Sequence, residues 1–206
     1  MICVSAPGGK VREAALRYPS HLVEARLDLG GSLDDVRGIE ERAVITIRRR
    51  EEWGSWRWSE DERKALMREA IDLNPRYVDL EISSPIYDLL DEARDRSVGV
   101  VASVHLNERN WDLILSLQKK AISSGADVFK AVIVPSCIGD CVRMMAITAA
   151  SEIPMVGICS GELGVVTRFA APLVGSPFTY ASPWRLAPGQ PTPEELEEVW
   201  RSWGLI

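Results

Sequence analysis

Eight short apolar runs recur along the chain, each separated from the next by a more polar stretch: ICVSA, LVEARLDL, AVITIR, YVDLEI, VGVVASVHL, ADVFKAVIV, IPMVGICS and FTYAS. Between most of them the apolar positions return every three or four residues, the spacing of a helix with one buried face. DERKALMREAIDL, SPIYDLLDEARD, WDLILSLQKKAISS and DCVRMMAITAASE all read this way. After the last run, Thr192 precedes Pro193 with Glu195 three positions on, which predicts a capped helix start for TPEELEEVWRSW. Strand and helix alternating eight times predicts parallel strands with right-handed crossovers, and eight such units close into a (β/α)8 barrel. The expected architecture is therefore a single compact (β/α)8 TIM barrel over residues 1–206, with a doubly wound open sheet as the alternative. No GxGxxG or GxxxxGKS/T loop follows the first run to support a nucleotide-binding form of that alternative.

The strands also alternate with period two. In LVEARLDL, Val23, Ala25, Leu27 and Leu29 interleave with Glu24, Arg26 and Asp28. The same parity places Thr46 with Arg48, Asp79 with Glu81, and Ser103 with His105 on one face. In a barrel one strand face meets the helices and the other the lumen, so the charged face is the lumen. Barrel interiors are ordinarily layers of branched apolar side chains. So many inward charges imply either a structural ion network or a polar active site at the C-terminal strand ends, and the second reading is favoured.

Within ADVFKAVIV, Lys130 has apolar neighbours on both sides in sequence. A buried ammonium is costly, so such a group is expected to give up its proton, and a neutral amine is a nucleophile toward carbonyls. A strand-end lysine reaching solvent is the plainer alternative. Beside it on adjoining strands stand His105, able to take and return a proton near neutrality, and Arg26, Arg48 and Arg168, forks suited to carboxylates and hydroxyls. Together they suit imine formation followed by α-proton removal on a polar, anionic keto compound.

Composition narrows the partners. Thirty acidic against 24 basic residues give a net charge of −6, which argues against nucleic-acid binding. The tryptophan-rich WGSWRW segment is read as packing against a neighbouring loop or subunit rather than as a stacking platform. No run approaches the ~20 apolar residues of a membrane span, and no basic leader precedes an apolar stretch at the N-terminus. The four cysteines suggest buried thiols in a reducing cytoplasm rather than a disulfide framework, and Cys137 with Cys141 lacks nearby partners for a metal.

The motifs EARLD, ITIRRREEWG, SVH, ADVFKAV and TRFAAPLVGSPFTYAS followed by APGQ resemble, in order and over almost the whole chain, type I 3-dehydroquinate dehydratase. That resemblance implies a (β/α)8 barrel, usually a homodimer, which dehydrates 3-dehydroquinate to 3-dehydroshikimate in the shikimate pathway without metal or organic cofactor. It implies Lys130 as the Schiff-base lysine, His105 as the general acid/base and Glu52 as the group that orients it. Glu24, Arg26 and Arg48 would hold the ring hydroxyls, and Arg168 the carboxylate. Gln190 would close from a lid, with Tyr180 as aromatic wall and Ser5 near the substrate. This chain departs from the pattern at Trp53, where a glycine is usual, and at Leu106 and Asn107 after the histidine. Leu186 stands where a serine is expected, unless Ser182 replaces it. Another Schiff-base barrel lyase, such as an aldolase, and a non-catalytic barrel binding an anionic metabolite are the competing functions.

Overall fold

The computed structural model describes residues 1–206. Eight strands form one all-parallel sheet in the order β7-β6-β5-β4-β3-β2-β1-β8. They are β1 (Ile2–Pro7), β2 (Leu22–Arg26), β3 (Ala43–Thr46), β4 (Tyr77–Glu81), β5 (Gly99–Leu106), β6 (Val128–Ile133), β7 (Met155–Cys159) and β8 (Thr179–Ala181). The first strand pairs with both β2 and β8, so the sheet curls round on itself and only the β7–β8 seam lacks ladder pairing. This is a nearly closed (β/α)8 barrel.

Seven α-helices pack outside it: α1 (Val11–Arg17), α2 (Glu60–Asp72), α3 (Leu90–Asp95), α4 (Trp111–Ser124), α5 (Ile138–Ala149), α6 (Gly161–Phe169) and α7 (Pro193–Ser202). The predicted cap of α7 is present: the Thr192 side chain accepts from the Glu195 N–H, while Glu195 accepts from the Thr192 N–H at 2.7 Å. The β2–β3 connection departs from strict alternation. It consists of 3-10 turns at 27–29, 33–36 and 40–42 rather than an α-helix. The second strand therefore ends at Arg26, three residues earlier than its alternating pattern implied. Asp28 sits in a turn, buried, where it accepts from Arg26 and from the Ser55 N–H.

The larger core lies between strands and helices, and a smaller one fills the barrel. The inner core holds Cys3, Leu22, Val44, Val101, Val128, Val156 and Phe178 toward the N-terminal strand ends. The next inward position is Ser, Glu, Thr, Ser and Lys on β1, β2, β3, β5 and β6, with Ile158 on β7 and Tyr180 on β8, so the apolar plug supports a charged floor. Helix α2 is bolted to that floor by Arg63, which is fully buried. Its guanidinium bonds Glu81, the Ile47 carbonyl at 2.9 Å and the Ser84 hydroxyl at 3.0 Å. Glu81 thus serves the strand–helix joint rather than projecting freely into the lumen. Three of the four cysteines are buried as expected; Cys137 is exposed, because it caps the start of α5 instead of facing the core.

Candidate active site

At the C-terminal strand ends a cavity of about 360 Å³ opens. All ten residues anticipated for the site line it: Ser5, Glu24, Arg26, Arg48, Glu52, His105, Lys130, Arg168, Tyr180 and Gln190. Five strands contribute them directly, and the loop turns after β3, α6 and the 183–191 segment supply the remainder.

Lys130 is 5% exposed, at the centre of β6. Its Nζ lies 3.2 Å from Asp79 and 3.9 Å from Glu24, and 4.0 Å from the centroid of the Tyr180 ring. Two carboxylates and an aromatic face surround the amine, so its setting is not the purely apolar one that its neighbours in sequence implied. Asp79 and Ser103 went unassigned in the sequence reading, although the parity of their strands placed both inside. Asp79 accepts from Arg48 at 2.6 Å and from the Ser103 hydroxyl at 2.5 Å. Burial works to raise the Asp79 pKa, but Arg48 and Lys130 outweigh it and hold the carboxyl below its usual value.

Arg48 is correspondingly committed. Besides Asp79 it donates to Ser103 at 2.9 Å and lies 3.5 Å from Glu81 and 3.7 Å from Glu52. It reaches the cavity wall as part of an ion network. Arg26 is held by Asp28 through two hydrogen bonds of 2.7 and 2.8 Å. Glu24 accepts from Ser5 at 2.6 Å and from Thr46 at 2.9 Å, which fixes the carboxylate plane.

Arg168 differs from these arginines. It is 3% exposed and makes one hydrogen bond, 3.0 Å to the Tyr180 carbonyl, while its Nε is buried without a partner. Burial, only partly opposed by Glu24, Tyr180 and Cys159, pulls its pKa down to about 10. It remains a cation at neutral pH, facing the cavity with no carboxylate of its own.

His105 sits at the cavity mouth on β5. Glu52 accepts from its backbone N–H at 2.9 Å and lies 3.3 Å from Nδ1. Burial first, then the charges of Arg48, Lys130, Arg26 and Arg168, push the His105 pKa well below its ordinary value. The ring is therefore neutral at physiological pH. A proton on Nδ1, shared with Glu52, would leave Nε2 as the basic nitrogen. Burial, opposed by Arg48, holds the Glu52 pKa above the usual range.

Gln190 lines the cavity from the 183–191 segment; its amide nitrogen lies 3.4 Å from the Ser5 hydroxyl and its oxygen accepts from the Ala187 N–H at 3.2 Å. Leu186 lines the cavity. Ser182 does not take the place of the expected serine, since its hydroxyl donates to the Ser5 carbonyl at 2.8 Å and accepts from the Trp184 N–H. Trp53 and Asn107 also line the cavity, and neither was singled out for the site from the sequence. WGSWRW does pack through Trp56, whose N–H donates to the Ser59 carbonyl at 3.0 Å, but Trp53 turns to the site instead. No group of three or more His, Cys, Asp or Glu side chains is placed to hold a metal ion.

Comparison with known proteins places the whole chain. The family described as Type I 3-dehydroquinase matches residues 2–205. The 3-dehydroquinate dehydratase of Pyrobaculum aerophilum is 38% identical over 204 residues, covering 93% of this chain and 67% of that protein. That of Thermococcus gammatolerans is 37% identical over 196 residues, covering 92% and 89%. The crystal structure of the Aquifex aeolicus VF5 enzyme of the same name superposes with a TM-score of 0.81 at 25% identity, covering 98% of both chains. The chain belongs to the type I 3-dehydroquinase family.

Proposed function

We infer that this protein is a 3-dehydroquinate dehydratase, a hydro-lyase that converts 3-dehydroquinate to 3-dehydroshikimate through a Schiff base. Family membership supports the reaction. The observation that carries the chemistry is the cavity itself, in which one lysine, one neutral histidine and one unpaired arginine converge.

In this reading Arg168 receives the substrate carboxylate, since it is the buried cation with no partner of its own. The Lys130 amine attacks the ketone, and the carbinolamine loses water on taking up a proton from solvent, giving an iminium; the final hydrolysis returns that proton. The positive nitrogen acidifies the adjacent carbon, whose proton passes to Nε2 of His105. The resulting enamine expels the β-hydroxyl, to which His105 returns the proton as water forms. Hydrolysis of the remaining iminium frees Lys130, and the balance is one water lost. Glu52 holds the imidazole in the tautomer that leaves Nε2 basic and steadies the imidazolium that forms. Glu24 and Arg26 orient ring hydroxyls, with Ser5 and Gln190 completing that wall. Arg48 acts mainly by holding Asp79 in place against Lys130, and Tyr180 forms the face over the reacting nitrogen.

Residues 1–206 act in this reading as one catalytic unit. It includes a homodimer, supported by Ile138 and Val142 on α5 and Leu163 on α6, large apolar side chains left exposed. A cytoplasmic setting belongs to the same reading and is supported by four free cysteines. No helix is long and apolar enough to cross a membrane.

Incubation with 3-dehydroquinate tests the assignment. Dehydration yields a conjugated enone with new ultraviolet absorbance, whereas an aldolase acting through the same lysine would cleave the ring carbons and yield none.

A further inference from the structure

Trp53 occupies a position where its own backbone resists it. Its φ is 65°, in the left-handed region that bulky residues rarely adopt. The turn that imposes this conformation is tight. Gly54 donates to the Arg49 carbonyl at 2.8 Å, and a Cβ at Gly54 would lie 2.1 Å from the Arg48 carbonyl oxygen. The following residue, Ser55, is tied to Asp28 at 3.0 Å. Glu52 and Trp53 are therefore delivered together by one rigid turn, and both land on His105. Glu52 takes the backbone N–H and faces Nδ1; the Trp53 ring meets the imidazole edge to face, with centroids 5.5 Å apart and planes at 78°. Trp53 is then pinned from the other side, because its Nε1–H donates to Asn107 Oδ1 at 2.7 Å, two residues beyond His105.

The Trp53–Asn107 hydrogen bond thus ties the β3 loop to the β5 loop at the cavity mouth, beside the Glu52–His105 contact. We propose that Trp53, latched to Asn107, is a positioning residue for the general base: it fixes the plane of the His105 ring against Glu52 and shields it from solvent. An indole there supplies an apolar cover that a smaller residue would leave open. Its N–H and the Asn107 carbonyl form a matched pair, each explaining the other's presence.

The shield has an electrostatic consequence. His105 is faced by Glu52 from the β3 turn, Arg48 from the end of β3, Lys130 from β6, Arg26 from β2 and Arg168 from α6. Uncovering the ring restores water to it and screens those cations, so protonation becomes easier. The inference about turnover rests on the dehydratase reading, but the ring's titration does not.

The chain has two histidines, so proton NMR of the imidazole signals resolves the question in the intact protein. His21, paired with Glu197 at 2.9 Å and distant in the fold, is the internal control. In Trp53→Ala the His105 midpoint should rise toward the unperturbed value of about 6.5, with His21 unchanged. On 3-dehydroquinate, kcat should fall roughly ten- to hundredfold with KM little altered. The acid limb of the kcat/KM profile should move up with the NMR midpoint. Trp53→Phe, which keeps an aromatic edge and loses the N–H, and Asn107→Ala should each give a smaller loss of kcat. Their combination should be no worse than either, as expected for two halves of one contact. A wild-type His105 midpoint and kcat in Trp53→Ala, or additive effects of Trp53→Phe and Asn107→Ala, would overturn the proposal. If the wild-type protein failed to turn over 3-dehydroquinate, the dehydratase reading would fall, while the NMR titrations would still decide whether Trp53 governs His105.

Discussion

Toward the N-terminal strand ends of the barrel interior, Cys3, Leu22, Val44, Val101, Val128 and Phe178 form an apolar layer. Two residues further along the same six strands stand Ser5, Glu24, Thr46, Ser103, Lys130 and Tyr180. Both sets are almost inaccessible to solvent, from 0% for Cys3 and Ser103 to 6% for Leu22. Depth therefore does not distinguish them; chemistry does. The lower layer is stabilised by removal from water, at about 25 cal/mol per Å² of apolar surface. The upper layer holds a buried network whose charges are costly to desolvate and stay only because each has a counter-charge or hydrogen bond. A scaffold needs no such network when branched side chains would fill the space. Its presence is what singles out this end of the barrel for the proposed chemistry.

Substitutions can break this comparison. Asp79→Ala leaves Arg48 and Lys130 without their shared carboxylate, and removing one half of a buried pair typically costs ~3–5 kcal/mol. Denaturant unfolding should show a loss of that size, together with loss of turnover. Arg168→Ala should do the opposite in stability terms, because its guanidinium has no carboxylate to abandon. The protein should stay as stable or become more so, while kcat/KM falls by the equivalent of ~2–5 kcal/mol through loss of the carboxylate's partner. An Arg168→Ala protein that unfolded early yet bound substrate normally would make Arg168 a structural residue.

A smaller effect is expected below the floor. Val128→Ala, two residues before the lysine, should cost about 2 kcal/mol of stability from lost transfer and a small cavity. The folded fraction should turn over at the wild-type rate, and steady-state assays at a temperature well below unfolding would show it. A pH profile sharpens the same contrast with no substitution. As the proposed base His105 must be neutral, and burial plus neighbouring cations lower its affinity for a proton. The acid limb of kcat/KM, which reports groups in the free enzyme, should therefore fall below pH ~6.5 rather than at it.

Sequence pattern exposed the upper layer because period two is a property of single strands. Glu24 and Arg26, Thr46 and Arg48, and Ser103 and His105 could be assigned to the lumen one strand at a time. Their partners could not. Arg48 reaches Asp79 31 residues away and Ser103 55 residues away, and only the register of β3, β4 and β5 brings them together. Asp28 departs for a related reason: the alternation runs on past Arg26 in the sequence, while the chain has already left the sheet for a 3-10 turn. Trp53 was assigned to loop packing because its neighbours Trp56 and Trp58 suggested an aromatic cluster. Those two rings do pack together at 4.8 Å, but the left-handed backbone at Trp53 swings that indole the other way. Cys137 looked like a core thiol by residue type and is exposed because it starts a helix.

The central claim is that Lys130 supplies the electron sink and His105 moves the proton. Mass spectrometry after borohydride treatment in the presence of 3-dehydroquinate separates the two most directly. Wild-type protein should gain a substrate-sized increment on Lys130. Lys130→Ala should gain none and should not turn over. His105→Ala should still gain the increment, more slowly if the imidazole also assists imine formation, while its turnover falls by roughly 10²–10⁴-fold. An increment on Lys130→Ala, or wild-type turnover by His105→Ala, would contradict the account.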